Sequence, residues 1–438
     1  MTQLSIDGTY LVPGDSGYET ARLTWQRKLD PYPAVVVEAA GTLDVVAAVR
    51  HAREQGLEVT VQATGHGAVA PADDGLLLKT ARMNGVEIDA GRRTARVGAG
   101  TQWSDVIAAA APHGLGVLSG SSAGVGVVGY TVGGGMGFLS RLHGYAADNV
   151  VRAEIVTADG ELLTVSPTEH PDLFWALRGG GGNFGIVTSL EFRLFPVGDV
   201  YAGMAMFAPE RAGEAFRAYR DWALEEPDES NSAVALMTMP PLPMIPEPIR
   251  GRRVLVLRVF YAGDAGNAQR LYAPLREAAG EPILDGLRPA GFADAAAMLG
   301  PAPPPMASHM HFELLHEVPD AVIDTVVDAP AGIELRHWGG AMARPSEDAG
   351  PIGHRDVPFS IVVSAMAPDG AGLEPQIAAV DAVGEKLGPY GTGGSFLNFL
   401  GDPSKVQDAY TTEDYKRLTE VKAAYDPDNV FAGNHNIG

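Results

Sequence analysis

The chain has 438 residues, enough for two domains, and its 46% hydrophobic and 20% charged content excludes a disordered polymer. Lys and Arg number 32 against 54 Asp and Glu, and the resulting net charge of −22 repels phosphate backbones, which argues against nucleic acid as a partner. There is no cysteine, so disulfides, thiolate metal sites, thiol nucleophiles and cysteinyl cofactor bonds are all excluded.

Residues 1–19 have neither a basic start nor an apolar run, so no signal peptide is expected. No stretch approaches the roughly 18 apolar residues of a membrane span. The expectation is a soluble cytoplasmic protein with no membrane partner.

Residues 34–38 form a short apolar run, after which Thr42 caps a helix carrying Val45, Val46, Val49 and Ala52, stopped by Gly56. Strands follow at 57–62, 76–79, 86–89 and 94–98, punctuated by Asp74-Gly75 and Asn84-Gly85, and 103–111 reads as a helix. Residues 114–137 are dense in glycine. A hairpin turns at Asp159-Gly160 between 149–157 and 160–165, then a short helix at 172–177 leads to a strand at 186–195. The composition changes after Pro196. A helix at 209–224 shows Ala215, Phe216, Tyr219 and Trp222 on its apolar face, and strands are expected at 233–238, 253–261, 310–315 and 359–365. The Pro-rich segments 240–248 and 301–305 read as surface loops, and 373–387 and 412–425 as helices, the last stopped at Asp426-Pro427. The pattern is α+β, divided as 1–196, 197–400 and 401–438.

Gly180, Gly182 and Gly185 satisfy G-x-G-x-x-G, but a strand follows where a Rossmann site requires a helix. No Gly-rich run ends in the Gly-Lys-Ser/Thr of a Walker loop. Two other clusters, Gly65-His66-Gly67 and residues 133–137, are either plain tight turns or nests of backbone N–H groups able to hold a pyrophosphate.

Four stretches carry a family likeness. They are Val61-Gln62-Ala63-Thr64-Gly65-His66-Gly67, the run from Val125 to Gly135, His143-Gly144-Tyr145-Ala146-Ala147-Asp148-Asn149, and Leu173 to Gly179 leading into Gly182-Asn183-Phe184-Gly185. With the tail from Tyr425 to Phe431 and Asn434-His435-Asn436-Ile437, they resemble the FAD-linked oxidases of the vanillyl-alcohol-oxidase fold, in the berberine-bridge-enzyme-like branch. The resemblance implies a PCMH-type FAD-binding domain in two pieces, the larger spanning residues 1–196, with an inserted α+β substrate domain at 197–400 and a returning segment at 401–438. It implies a single covalent flavin bond through His66, with Thr64, Gly65 and Gly67 on the pyrophosphate and Val187 by the adenine. Ser122 stands where bicovalent members carry a cysteine. Ser121, Val125, Gly126, Gly129, Tyr130, Asn434 and Asn436 complete the implied flavin site. Val125 holds the position where valine accompanies oxygen reactivity and isoleucine its loss. The chain departs from the pattern at Gln62 and Thr64, which replace an Arg and a Gly, and at Val128, which replaces a Gly. Phe396 and Phe399, around Asn398, stand where many members carry tyrosines, so the usual tyrosyl base is absent from those positions.

Alternation puts His309, His311 and Glu313 on one strand face, and histidine is a suitable general base near neutral pH. The expectation is a second domain forming a lid over the flavin ring, with His309 or His311 lining the pocket and Asn398 as the third catalytic candidate. The competing readings are a solvated face and, more weakly, a metal site on His309, His311 and His316. Glu334, Arg336 and Trp338 alternate similarly and read as an ordinary exposed face. The activity implied is that of an oxidase taking hydride from a small amine, alcohol or natural-product intermediate and passing electrons to dioxygen. The alternatives are a flavin dehydrogenase with an organic acceptor and a flavin-free binding protein retaining the fold.

Overall fold

The strands Val35–Glu38 and Leu76–Lys79 are apolar at nearly every position, the signature of parallel strands covered on both faces. They pair in parallel, with Val59–Gln62 on one side and the antiparallel edge strand Thr9–Leu11 on the other. The computed structural model describes residues 5–299, 303–367 and 372–438. Helix Thr42–Gln55 lays Val45, Ala48, Val49 and Ala52 on this sheet and ends at Gly56 in the left-handed region, φ +66°. Thr42 is not its cap. Gly41 holds that position without a side-chain bond, and the Asp44 carboxylate instead accepts from the Asp7 and Ala40 N–H groups.

A second, five-stranded antiparallel sheet runs in the order Val86–Asp89, Thr94–Gly98, Ile186–Arg193, Val150–Val156, Leu162–Val165. Helix Trp103–Ala110 packs on it through Trp103, Val106 and Ile107. Because Ile186–Arg193 is a central strand, the glycines before it serve a turn into a sheet. A Cβ on Gly185, whose φ is +149°, would come within 2.7 Å of Ile155.

The largest sheet has eight strands. Its main path is Pro282–Asp285, Val200–Phe207, Arg253–Tyr261, Ser230–Thr238, Gly332–His337, Phe359–Ala367, Ala307–Leu315, and Arg288–Ala290 adds to Val200–Phe207. Helices Ala212–Ala223, Ala265–Ala279, Asp320–Val327 and Leu373–Leu387 all bury their apolar stripes against one face, over Val234, Leu257, Leu335 and Val363. The helices leave the other face to the rest of the molecule, and strand alternation decides which side chains stand there. Helix Thr412–Tyr425 and the tail pack back among the residues of the five-stranded sheet, through Leu418, Val421 and Ile437.

The observed elements begin or end a few residues from the expected ones, as at Ser230–Thr238 and Ala307–Leu315. The 240–248 segment is mostly exposed, whereas residues 301 and 302 of the other Pro-rich loop lie outside the described residues. Among the described residues no helix is long and apolar enough to cross a membrane.

Candidate functional site

Strand Val59–Gln62 delivers the chain into a loop that depends on glycine. Gly65 has φ +77°, and a Cβ there would strike the Thr24 hydroxyl, which donates to the Gly65 carbonyl at 2.8 Å. The His66 ring lies on Trp25, centroids 4.0 Å apart, and burial pushes its imidazole below the ordinary pKa. Beyond Gly67 there is open space, since a Cβ would meet nothing within 4 Å. The C-terminal tail fixes this loop. Asn434, itself at φ +64°, accepts from the Val69 N–H at 2.8 Å and donates to the Gly67 carbonyl at 3.0 Å.

The Gly-rich run from 119 to 137 closes on the same loop. A Cβ on Gly126 would come within 3.1 Å of the Ala63 methyl, so the two segments meet there. Helix Val127–Val132 follows, and its Tyr130 packs edge-on against Trp103. Asn398 braces the turn beyond. Its Oδ1 accepts from the Gly135 N–H at 2.8 Å and its Nδ2 donates to the Tyr130 carbonyl at 3.2 Å. Both ends of the amide thus bond backbone, and Asn398 braces the Gly-rich turn.

These segments carry buried side-chain oxygens that find no partner among the described residues: Gln62 Oε1, Ser119 Oγ, Ser122 Oγ, Tyr130 OH, Thr131 Oγ1 and Asn436 Oδ1. Buried polar groups are ordinarily satisfied, so a concentration of orphans in the segments around one loop marks a place built for a polar ligand. Burial also raises the Tyr130 hydroxyl well above its ordinary pKa, so it keeps its proton as a donor. The residues fit a large, polar, phosphate-bearing cofactor. Gln62 offers an amide where a cation would strengthen phosphate binding. Val125 is partly buried, packed against the core beneath this run, and Val187 is buried in strand Ile186–Arg193. Ser121 is exposed and Gly129 has open space beyond its Cα.

Strand Ala307–Leu315 presents toward the aromatic cluster the face opposite to the one expected. His309 Nε2 bonds Asp381 on helix Leu373–Leu387 at 2.7 Å, and Lys28 Nζ lies 3.0 Å from its Nδ1. His311 packs beneath Gly384 of the same helix and bonds Glu313 at 2.9 Å. That placement corrects the assignment of His309 or His311 to the pocket. Phe312 and Leu314, alternating with them, point instead into a cluster with Tyr145, Trp338 and Phe396. Phe312 stacks on Phe399, centroids 5.1 Å apart, and Trp338 meets Phe396 edge-on at 5.1 Å. The apolar partners within 310–315 were the available signal for this orientation. Glu334, Arg336 and Trp338 are not an exposed face either: Trp338 and Arg336 are buried and Glu334 is paired with two arginines. Among the described residues no group of His, Asp and Glu is arranged to hold a metal ion.

His435 gives one pH-dependent expectation. Burial lowers its pKa, against a weaker raising effect of its 2.8 Å bond to the Leu400 carbonyl. Below about pH 6.5 the unfolded chain therefore binds a proton that the folded chain resists, and stability falls as the pH drops toward the folded pKa, by up to about 1.4 kcal/mol per pH unit. Between pH 7.5 and 5.5 the urea midpoint of His435→Gln is expected to fall less than that of the parent. Equal losses would remove this imidazole from the acid response.

The fold and the loop geometry define an FAD-linked oxidoreductase with a PCMH-type cofactor domain, and the comparisons agree. The FAD binding domain family model matches residues 33–166, and the berberine and berberine-like model matches 395–438. (R)-6-hydroxynicotine oxidase of Paenarthrobacter nicotinovorans is 30% identical over 461 aligned residues, spanning 100% of this chain and 98% of that relative. The chain belongs to the berberine-bridge-like family of FAD-linked oxidoreductases. The crystal structure of 6-hydroxy-D-nicotine oxidase from Arthrobacter nicotinovorans is similar with a TM-score of 0.83 at 26% identity, covering 100% of this chain and 99% of that one. The berberine-bridge-like enzyme 1 of Physcomitrella patens shares the fold, with a TM-score of 0.87 at 22% identity, covering 99% of this chain and 97% of that one.

Proposed function

We infer that this FAD-dependent oxidoreductase is an oxidase that removes hydride from a C–H bond of a small amine, alcohol or natural-product intermediate, with dioxygen as acceptor and hydrogen peroxide as product. The observation that carries the reading is the set of unpartnered oxygens of Gln62, Ser122, Tyr130 and Asn436 on the segments around the 63–69 loop. When bound, FAD supplies the hydride acceptor and returns the electrons to dioxygen. The chain supplies position. Residues 1–196 with 401–438 serve the cofactor and 197–400 the substrate. Thr64, Gly65 and Gly67 hold the pyrophosphate, His66 tethers the ring covalently, and Asn434 keeps their loop in shape. Tyr130 keeps a proton and donates it in a hydrogen bond, and the Phe312, Trp338 and Phe399 rings keep water from the reacting carbon.

Purified protein is expected to be yellow and to give peroxide with members of a panel of amines and alcohols. A colourless protein that takes up no added FAD would overturn the reading. Acid precipitation is expected to leave the flavin with the pellet, and His66→Ala to release it to the supernatant or yield apo-protein. Flavin released quantitatively from the parent would refute the covalent bond alone.

Val125 sets a further expectation. In a close-packed site one added methylene closes a path wide enough for a diatomic molecule. Stopped-flow reoxidation of photoreduced protein in air-saturated buffer is expected to be fast in the parent and slow in Val125→Ile. A parent that stays reduced for minutes in air would replace dioxygen with an organic acceptor.

A further inference from the structure

The face of the large sheet turned away from its helices holds a buried charge cluster that the oxidase reading does not use. Leu257 and Val259, and Ile333 and Leu335, belong to the helix-side core, so Arg258, Glu334 and Arg336 project the other way. Their spacing is set by register. Ala233 pairs with Arg258 on one side and Arg336 on the other, and Ala235 pairs with Glu334. Two small side chains therefore leave room between two guanidinium groups on next-nearest strands, about 10 Å apart. Glu334 bridges them, 3.0 Å from Arg258 Nη2 and in direct contact with Arg336 Nη2. Burial works to raise the Glu334 carboxyl, but the two arginines outweigh it and hold it below its ordinary pKa.

One carboxylate against two guanidiniums leaves a net charge of +1, in a chain whose overall charge is −22. Arg336 is only 8% exposed, and its Nε finds no hydrogen-bond partner among the described residues. Its remaining contact is a weak one, from Nη1 to Met136 Sδ at 3.3 Å. Met136 lies in the Gly-rich run, so Arg336 reaches from the large sheet to the segment that closes on the 63–69 loop. A buried N–H left unpaired is costly unless a ligand takes it. A guanidinium stays charged at every working pH, and with Nη2 on Glu334 the Nε–H is the donor left for a carboxylate or phenolate oxygen.

We propose that Arg336, supported by Arg258 and with Glu334 as their spacer, is an anion-recognition site that selects substrates bearing a carboxylate or phenolate near the carbon to be oxidised. This rests on the oxidase reading for its chemistry but not for its binding test. The geometry assigns Arg336, through its unpartnered Nε–H, to the substrate anion. A cationic amine is disfavoured at the same place by the uncompensated positive charge.

The test is calorimetric and spectral titration of the oxidised holoprotein with benzoate, benzyl alcohol and benzylamine, without turnover. Benzoate is expected to bind at least tenfold tighter than either of the others. Arg336→Gln is expected to lose that preference, and Glu334→Gln, which raises the local net charge from +1 to +2, to tighten benzoate by about tenfold. Should Arg336→Gln fail to fold, Glu334→Gln decides the matter from the other side of the pair. Benzylamine binding tighter than benzoate, or benzoate affinity unmoved by the charge change in whichever variant folds, would overturn the proposal. Charge-dependent benzoate binding in a protein that never makes peroxide would sink the oxidase reading and leave this one standing. Turnover of amines without anion binding would do the reverse.

Discussion

Arg141→Met is expected to destabilise the protein by about 3–5 kcal/mol, among the largest single effects available in the chain, because it leaves a buried carboxylate without its cation. Arg141 is 1% exposed, on the short helix Ser140–His143. It donates to the Ser230 carbonyl at 2.9 Å, to the Glu226 carbonyl at 2.6 Å and to the Trp338 carbonyl, and its Nε lies 3.6 Å from Glu226 Oε2. Glu226 in turn accepts from Ser230 and Ser232 at 2.6 and 2.7 Å, and His337 Nδ1 lies 3.0 Å from its other oxygen. The group is fully satisfied, so its removal does not subtract one bond but strands a charge. Arg141→Met/Glu226→Gln is expected to recover much of the loss, since the stranded charge is gone. Urea unfolding of the parent, both single variants and the double variant measures this. A single Arg141→Met within about 1 kcal/mol of the parent would show that the cluster is not held by that pair.

The consequence for the site runs through Trp338. Its carbonyl is bound by Arg141, its indole N–H donates to Ser360 Oγ at 2.7 Å, and its ring meets Phe312, Tyr145 and Phe396. A side chain locked at both ends is a rigid wall for whatever lies against the aromatic cluster. None of this was readable from Arg141 alone, a lone basic residue in Ser140-Arg141-Leu142-His143. Its partners lie 85 to 197 positions away in sequence. Local signals served better where period and punctuation agree. Thr412–Tyr425 ends at Asp426-Pro427 as expected, and Gly56 stops the first long helix. They failed where an element breaks its own rule. Helix Ala265–Ala279 carries Pro274 in its interior, which masks it, and Val200–Phe207 contains Gly203, whose φ of +137° suits a bulge more than a strand.

The candidate site divides the same way. Loop glycines declare themselves, because the left-handed backbone and close packing at Gly65 suit a residue without a Cβ, and so the 63–69 turn was legible. The lid was not. Period-2 alternation identifies two faces without saying which is covered, and at 307–315 both carry polar residues. His309, His311 and Glu313 looked like chemistry, but the two histidines proved to pack on an outer helix, with Glu313 bonded to His311. The residues that do face inward on Gly332–His337 looked like an ordinary charged surface, because a buried ion pair and a solvated one have the same sequence.

Lys422→Met is expected to loosen the C-terminal tail and, through it, the cofactor loop. Lys422 is 3% exposed, and its three N–H donors are all used: the Asn183 carbonyl at 3.0 Å, the Phe431 carbonyl at 3.1 Å and the Asp426 carboxylate at 2.6 Å. Asp426 also accepts from the Val430 and Phe431 N–H groups at 2.7 and 2.9 Å, which turns the chain out of helix Thr412–Tyr425. Asn183 continues the tie, donating to the His435 carbonyl and accepting from the Ile437 N–H, both at 2.9 Å. The tail so anchored carries Asn434, which holds Gly67 and Val69. Replacing the lysine strands the Asp426 charge, at a cost of about 3–5 kcal/mol. The loss is expected to concentrate at the tail, because Leu418 and Val421 keep the helix itself packed in the core. Limited proteolysis should then cut after residue 426 in Lys422→Met well before the parent is cut, and hydrogen exchange should rise at 430–437 and at 64–69 together. Asp426→Asn in the same background should restore some of the protection by removing the stranded charge. Exchange that rises at the tail while 64–69 stays protected would show that the cofactor loop holds its shape without Asn434.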